Sequence, residues 1–211
     1  MATQKDEPKS GELSPRAQYI IERHGIIWFV WILLVILNWI KTGPSILKGE
    51  LQGNDDYLRL VEIRDWLGGQ PWLDLHQYRL NPVDPILMHW SRISDVLIGL
   101  PIKFLTPIVG SQMAETMMMA AYPSLMLLAF LYLVSALTMK LTDNMRAPMA
   151  AAFMAALSYG VLAQFGLGRI DHHSLQIVLA LACLLLSFAH QTSPNKLSMQ
   201  VWPAGLGFMW A

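Results

Sequence analysis

Two short clusters of ionisable residues lie beside long apolar stretches of the chain. Asp55-Asp56 follows the first apolar run, and Asp171-His172-His173 lies between two later ones. Carboxylate oxygens suit Mg²⁺ and Mn²⁺, and an imidazole beside carboxylates favours Mn²⁺ or another transition metal. Because ionisable groups are costly at a membrane edge, the first interpretation of such clusters is functional. We therefore predict that they are two halves of one metal-binding or general-base site.

Each cluster also has a purely structural interpretation. Asp55 and Asp56 follow a Gly-Asn pair, and Asn and Asp are favoured both in turns and at helix N-termini. Asp171 could likewise cap a following helix. If that helix begins at Asp171, the alternate residues Asp171 and His173 can reach one ion from its first turn. Both interpretations stay open at this point.

The composition is typical of a membrane protein. Of the 211 residues, 54% are hydrophobic and only 14% are charged, which is more apolar than soluble proteins usually are. The 15 basic and 15 acidic residues balance, and this balance argues against a nucleic-acid partner, which needs a basic face. A helix of about 20 apolar residues crosses a bilayer. We expect an all-α polytopic membrane protein with a transmembrane domain at 23–211 and spans at about 24–41, 112–139, 147–167 and 173–190, a further one starting at 199–211.

The lysine and arginine distribution predicts the orientation of these spans. The tail, residues 1–22, is expected to be disordered, and its basic residues place it in the cytoplasm by the positive-inside rule. Lys140 and Arg146, in the loop after the second span, agree with this orientation. The loop 42–111 and the segment 168–173 are then outside, so both ionisable clusters fall on the outer face. Because the chain stops inside an apolar run, we expect it to be the N-terminal part of a longer protein.

The loop 42–111 is too long for a plain connection and is expected to contain juxtamembrane helices. A short surface helix is predicted at 57–67, where two glycines then end it. A second helix is predicted at 86–104, because apolar residues recur there every three or four positions and polar residues line another face. This pattern is typical of an amphipathic helix that lies in the plane of the membrane interface.

Three basic or titratable side chains in this loop are candidate ligands for a lipid phosphate. Arg79, His89 and Arg92 lie in and just before the second predicted helix. Guanidinium groups grip phosphate oxygens in a bidentate way, which lysine cannot match. Ordinary anchoring among anionic headgroups explains the same residues equally well.

These motifs resemble the catalytic subunit family of oligosaccharyltransferases, within the GT-C class of polytopic glycosyltransferases. The matching stretches are 54–62 and 168–173, and the Asp-His-His form is closest to the archaeal branch. The segment His89–Arg92 is similar to the second juxtamembrane helix of that family. Two departures stand out: Gln176 where the archaeal pattern often has Glu, and Asp56 in place of a more usual Pro or Ala.

The resemblance implies a GT-C-like fold and transfer of a sugar or oligosaccharide from a polyprenyl-linked phosphate or pyrophosphate donor. In that family the first Asp and the later Asp-x-(Asp/His) hold a divalent metal, here Mn²⁺ or Mg²⁺. A carboxylate near the acceptor would act as base or orienting group. The acceptor, whether a protein Asn, a glycan or a lipid, stays open. By position the metal ligands are Asp55, Asp171 and His173, the catalytic carboxylates Asp55 and Asp56, and the donor-phosphate contacts Arg92, Arg79 and His89.

Two other functions are compatible with the sequence. One is a GT-C transferase that uses a polyprenyl-monophosphate sugar to modify a lipid or glycan, with the first Asp acting as base without metal. The other is a transporter or ion-binding protein, but transporters place polar groups in mid-span and show inverted repeats. Here the charged groups lie at the outer boundary and no repeat is visible. In each case we expect a multi-pass protein of a prokaryotic plasma membrane, surrounded by lipid.

Overall fold

The computed structural model describes residues 13–192, with side chains described as far as residue 189. Within that range the chain is mostly helical and contains one short antiparallel ribbon. In chain order the elements are α1 (Pro15–Leu47), α2 (Asn54–Leu67), β1 (His76–Gln77), β2 (Ile86–Leu87), α3 (Ile93–Val109), α4 (Ser111–Leu141), α5 (Ala147–Ala156), α6 (Tyr159–Gln164) and α7 (His173–Thr192).

Helix α1 begins earlier than the sequence suggested. The Ser14 side chain accepts a hydrogen bond from the Ala17 N–H at 3.2 Å, and Pro15 occupies the first helical position. Both features stabilise a helix N-terminus. The predicted disordered tail 1–22 was therefore wrong for residues 15–22, which are helical. Residues 1–12 lie outside the described part of the chain.

Two helices are long and apolar enough to cross a membrane. Helix α1 has 33 residues and α4 has 31, with mean hydropathies of 2.0 and 1.9 over their most apolar stretches. At about 1.5 Å per residue each exceeds the roughly 30 Å hydrocarbon core of a bilayer. Large apolar side chains such as Phe29, Ile36 and Ile40 are exposed along α1, as expected for a helix that contacts lipid. The coarse prediction of a mostly helical protein is thus confirmed, and two of its helices could span a membrane.

Of the later predicted spans, one is broken into two helices and one matches a single helix. The run 147–167 is broken into α5 and α6, because the backbone of Ser158 is extended. Composition alone does not reveal such a break, since the residues on both sides of it are apolar. Helix α7 covers the predicted span 173–190 closely. The start of a further span at 199–211 lies outside the described residues.

Two buried apolar clusters organise the helices. One joins α1, α4 and α5, with Ile27, Leu131 and Ala152 among its members. The other joins α2, α3 and the first half of α4, and includes Ile63 and Ile170. Because Ile170 belongs to this second cluster, the segment just before α7 is anchored directly beside α2. The packing therefore fixes the two ionisable clusters relative to each other.

Helix α3 differs from the amphipathic helix predicted at 86–104 in its start and in its orientation. It begins at Ile93, because Ile86 and Leu87 instead pair with β1. Its polar face is buried against α2, and a Cβ added to Gly99 would lie 2.9 Å from the Trp66 ring. Leu100 and Phe104, on the apolar face, are exposed. An outward apolar face suits contact with lipid acyl chains.

Candidate functional site

The two ionisable clusters meet at one end of the helices. The Asp56 carboxylate accepts hydrogen bonds from the backbone N–H groups of Ile170 at 2.8 Å and Asp171 at 3.1 Å. Asp56 lies in the first turn of α2 and is fully buried. A buried carboxylate needs such partners, because desolvation without compensation is costly. The short connection before α7 is therefore built around the Asp56 side chain.

Arg169 joins the two buried carboxylates. Its Nη1 lies 3.2 Å from Asp56 Oδ2, and its Nη2 lies 2.6 Å from Asp171 Oδ2. The carboxylates are inaccessible, whereas the Arg169 side chain is 20% exposed. Such short, charge-assisted contacts are among the stronger hydrogen bonds in proteins. We call this ion cluster the Asp56–Arg169–Asp171 triad.

Burial and the positive charge of Arg169 act in opposite directions on the pKa of Asp56. Burial raises the pKa of Asp56 above its ordinary value, and the Asp171 charge adds to this effect. The Arg169 guanidinium and the two backbone N–H groups oppose it, but burial is the larger influence. The carboxylate of Asp56 thus depends on Arg169 for its ionised form.

Asp171 also has a structural role, because it orders the chain at the start of α7. Its Oδ1 accepts the backbone N–H of His173 at 3.1 Å, at the first residue of α7. This bond to the N–H two residues ahead is an Asx turn, which leads the chain into α7. The bond to His173 and the ion pair with Arg169 use different oxygens of Asp171. A role for Asp171 as a metal ligand stays a prediction.

His172 and His173 lie side by side at the start of α7. Their rings stack with centroids 4.4 Å apart, and the His172 ring lies 5.2 Å from that of Trp90. Within the described chain, the Nδ1 atoms of both histidines are buried and make no hydrogen bond, although His173 Nδ1 approaches Asp171 Oδ2 to 3.1 Å. Burial and the neighbouring His173 lower the pKa of His172, which therefore favours a neutral ring.

Asp55 differs from its neighbour Asp56 in its surroundings. Its side chain is exposed, whereas Asp56 is fully buried. The Asp55 carboxylate is nevertheless close enough to His172 for its charge to raise the pKa of that imidazole. The two aspartates thus have different surroundings: Asp56 is buried and joins α2 to the segment before α7, whereas Asp55 is exposed.

A buried arginine that the sequence analysis did not select supports the other side of the site. Arg59 in α2 has no exposed surface, and its guanidinium lies 4.7 Å from the Trp90 ring centre. Its Nη1 donates to Asp95 at 2.6 Å and to Glu62 at 3.3 Å. The available signal was its spacing, three residues before Glu62 on the surface helix predicted at 57–67. Instead, burial raises the pKa of Glu62 to about 7.

A cleft of about 480 Å³ opens beside His172, between the start of α3 and α7. Its size falls in the range of small-molecule sites. One end is polar and carries histidine, serine and glutamine side chains, whereas the other is apolar. The polar end contains His89, Trp90, Ser91, Ser94, His172 and Gln176, and the apolar end Ile93, Leu175, Leu179 and Ala180.

The three side chains predicted to contact a phosphate lie in different surroundings. His89 lines the cleft, but Arg92 is only 5% exposed and points into the outer loop. Arg92 Nε donates to the Trp72 carbonyl at 3.0 Å, and its Nη2 donates to Gln70 and to the Asp74 carbonyl. The geometry does not support a donor contact at Arg92, because those nitrogens already hold the loop. Arg79 is 64% exposed and pairs with Asp65 at 2.7 Å.

The predicted metal ligands do not converge in this arrangement. Across residues 13–192, no three or more His, Cys, Asp or Glu side chains are grouped so that they could hold a metal ion. Both Asp171 oxygens are engaged, one by Arg169 and one by the His173 N–H. The Arg169 guanidinium itself lies where a cation would bridge Asp56 and Asp171. The residues as placed therefore do not fit a divalent ion, and the ligand set Asp55, Asp171 and His173 stays a prediction.

Comparison with known proteins adds no family to this description. The chain matches no protein-family model, no curated protein and no solved structure. The residues of the site themselves therefore provide the evidence for a function.

Proposed function

We propose that the protein is a membrane glycosyltransferase that uses a polyprenyl-linked phosphate sugar as donor. The observation that carries the proposal is the meeting of two carboxylate clusters beside an amphipathic cleft at one end of apolar helices. A polyprenyl-linked donor combines an apolar tail with an anionic, sugar-bearing head. A site for it needs the same combination at membrane depth.

The cleft has features suited to such a donor. Leu175 and Leu179 of α7 provide apolar surface for the tail, and α3 exposes further apolar side chains. His89 and His172 bring N–H donors to the polar end, where phosphate oxygens could accept them. The Trp90 ring adds a flat apolar surface between the histidines and Arg59.

Asp55 is the best-placed base for the transfer. Its carboxylate is exposed, and its charge acts on His172, which lines the cleft. In the proposed step a nucleophilic O–H or N–H group of the acceptor attacks the anomeric carbon, and the bond from that carbon to the phosphate oxygen breaks. The acceptor proton passes to Asp55, and the electron pair leaves with the polyprenyl phosphate.

Two forms of this reaction follow from the sequence, and one observation favours the form without metal. The Arg169 guanidinium is paired with Asp171, which favours the form in which the first Asp acts as base without metal. The metal-assisted, oligosaccharyltransferase-like form stays a prediction, since it requires Asp171 to exchange Arg169 for an ion. Resistance of transfer to EDTA would support the first form, and inhibition reversed by Mn²⁺ the second.

The test is transfer of radiolabel from a synthetic polyprenyl-phosphate or pyrophosphate sugar into membranes that contain the full protein. Asp55→Asn should lower transfer at least 100-fold with unchanged protein level, because it removes the basic carboxylate at constant volume. Asp143→Asn is the matched control, since Asp143 is exposed near the far end of α4. Wild-type activity in Asp55→Asn, or no transfer above an empty-membrane background with any donor offered, would contradict the proposal.

A further inference from the structure

We propose that Arg169 is the resident cation of the site, and that its guanidinium and a divalent metal ion are mutually exclusive partners of Asp171. The inference concerns the site of the proposed function and rests on that function for its biological purpose. Its physical content, competition between two cations for one carboxylate, needs no sugar substrate.

The charges of the triad create a strong requirement for a cation. Asp56 and Asp171 are both fully buried, and each has one oxygen within 3.2 Å of the guanidinium. Their other oxygens accept backbone N–H groups, which supply dipoles but no charge. Removing one member of a buried ion cluster leaves an uncompensated charge, which is strongly unfavourable. If Arg169 leaves, either Asp56 takes up a proton or another cation, such as a metal ion, takes the place of the guanidinium.

The shape of the guanidinium explains why arginine occupies this position. Its two terminal nitrogens reach different carboxylates, Nη1 to Asp56 and Nη2 to Asp171. The planar fork holds both contacts at once, whereas a lysine ammonium is a single point charge. The same nitrogens already contact one oxygen of each carboxylate, so a metal ion cannot bind those two oxygens while the guanidinium is in place.

Gly53 provides a way to displace the guanidinium without removing any charge. A Cβ added at Gly53 would lie 2.9 Å from Arg169 Nη1 and 3.2 Å from Asp56 Oδ2. Its backbone is extended, with φ −140° and ψ 160°, so alanine itself is not strained there. Gly53→Ala should therefore push the guanidinium away from Asp56 through contact alone. Gly25→Ala is the matched control, because a Cβ at Gly25 meets nothing within 4 Å.

The experiment is titration of the detergent-purified full chain with Mn²⁺, with the free ion measured by electron paramagnetic resonance. Arg169→Gln should bind Mn²⁺ at least 10-fold more tightly than wild type, and Gly53→Ala should shift affinity in the same direction by a smaller factor. The gain in Arg169→Gln should vanish in the Arg169→Gln/Asp171→Asn double variant. Gly25→Ala should match wild type.

Each alternative result overturns the proposal. If both variants bind Mn²⁺ no more tightly than wild type, Arg169 does not compete with the ion. If the gain survives Asp171→Asn, the ion binds elsewhere. Should Arg169→Gln fail to fold, Gly53→Ala against Gly25→Ala decides the question. Because no donor is present, these outcomes are independent of whether sugar transfer is observed.

Discussion

The carboxylate of Asp56 accepts the backbone N–H of Asp171 at 3.1 Å, although 115 residues separate them in the chain. This contact joins the start of α2 to the segment that leads into α7. Because the buried Asp56 side chain binds a backbone N–H group, the bond fixes the path of the main chain before α7. Asp56 is therefore a structural residue of the site, and Asp55 is the member of the pair that remains accessible.

The first prediction is that substitution of Asp56 lowers mainly the stability of the protein, whereas substitution of Asp55 lowers mainly its activity. Asp56→Asn should lower the free energy of unfolding by about 3 kcal/mol, because it removes one charge from a buried ion cluster. Asp55→Asn should change it by less than about 0.5 kcal/mol, since that side chain is exposed, while abolishing most transfer. Thermal unfolding in detergent measures the first effect. Equal destabilisation by both variants would show that the burial difference has no energetic consequence.

The second prediction concerns orientation in the membrane. Asp55 and the segment 168–173 lie at one end of the helices, whereas Arg16, Arg23 and Met145 line a cavity at the other. By the positive-inside rule we expect the end that carries Arg16 and Arg23 to face the cytoplasm. In a Cys183→Ala background, an impermeant maleimide applied to intact cells should label Val83→Cys and not Met145→Cys.

The labelling sites for that experiment follow from the structure. Val83 is 96% exposed in the outer loop, and Met145 is half-exposed in the connection between α4 and α5. Labelling of both positions after the cells are permeabilised is the control for accessibility. The reverse pattern in intact cells would place the site on the cytoplasmic side and invalidate the proposed outer-face reaction.

Some features of this site were predictable from the sequence, and others were not. The two ionisable clusters and helix α7 were predictable, because charges beside apolar runs are rare and a continuous apolar run defines a helix. The partner of those charges was not: Arg169 precedes the Asp-His-His motif by two positions, and nothing in its spacing shows that it reaches back to Asp56. The loop contacts of Arg92 were not predictable either, because they are tertiary and leave no periodic signal.

The third prediction tests this revised role of Arg92. Arg92→Lys should lower the free energy of unfolding by about 2 kcal/mol, because lysine cannot reproduce the contacts to Trp72, Gln70 and Asp74 that the guanidinium makes. Arg79→Lys should cost less than about 1 kcal/mol, since its ion pair is exposed. Unfolding is measured for both, together with donor KM. A raised KM in Arg92→Lys at unchanged stability would restore the original donor-contact assignment.

The last prediction uses Glu62, whose pKa burial raises from 4.5 to about 7. The carboxyl faces Arg59, Arg92, Asp95 and Asp65, of which the two arginines lower the pKa and the two aspartates raise it. Between pH 4.5 and pH 7 the folded state keeps a proton that the unfolded state has lost. Stability therefore decreases as the pH rises through this window and levels off above it.

Glu62→Gln should remove this component, because the amide is uncharged at every pH. The stability difference between the variant and wild type should grow in favour of the variant by an amount on the order of 3 kcal/mol from pH 4.5 to pH 8. Burial also raises the pKa of Asp56 and Asp95, so both proteins lose stability with pH and only their difference isolates Glu62. Unfolding curves across this range provide the measurement. A difference that does not change with pH would mean that Glu62 is already ionised in the folded protein at pH 4.5, balanced by Arg59.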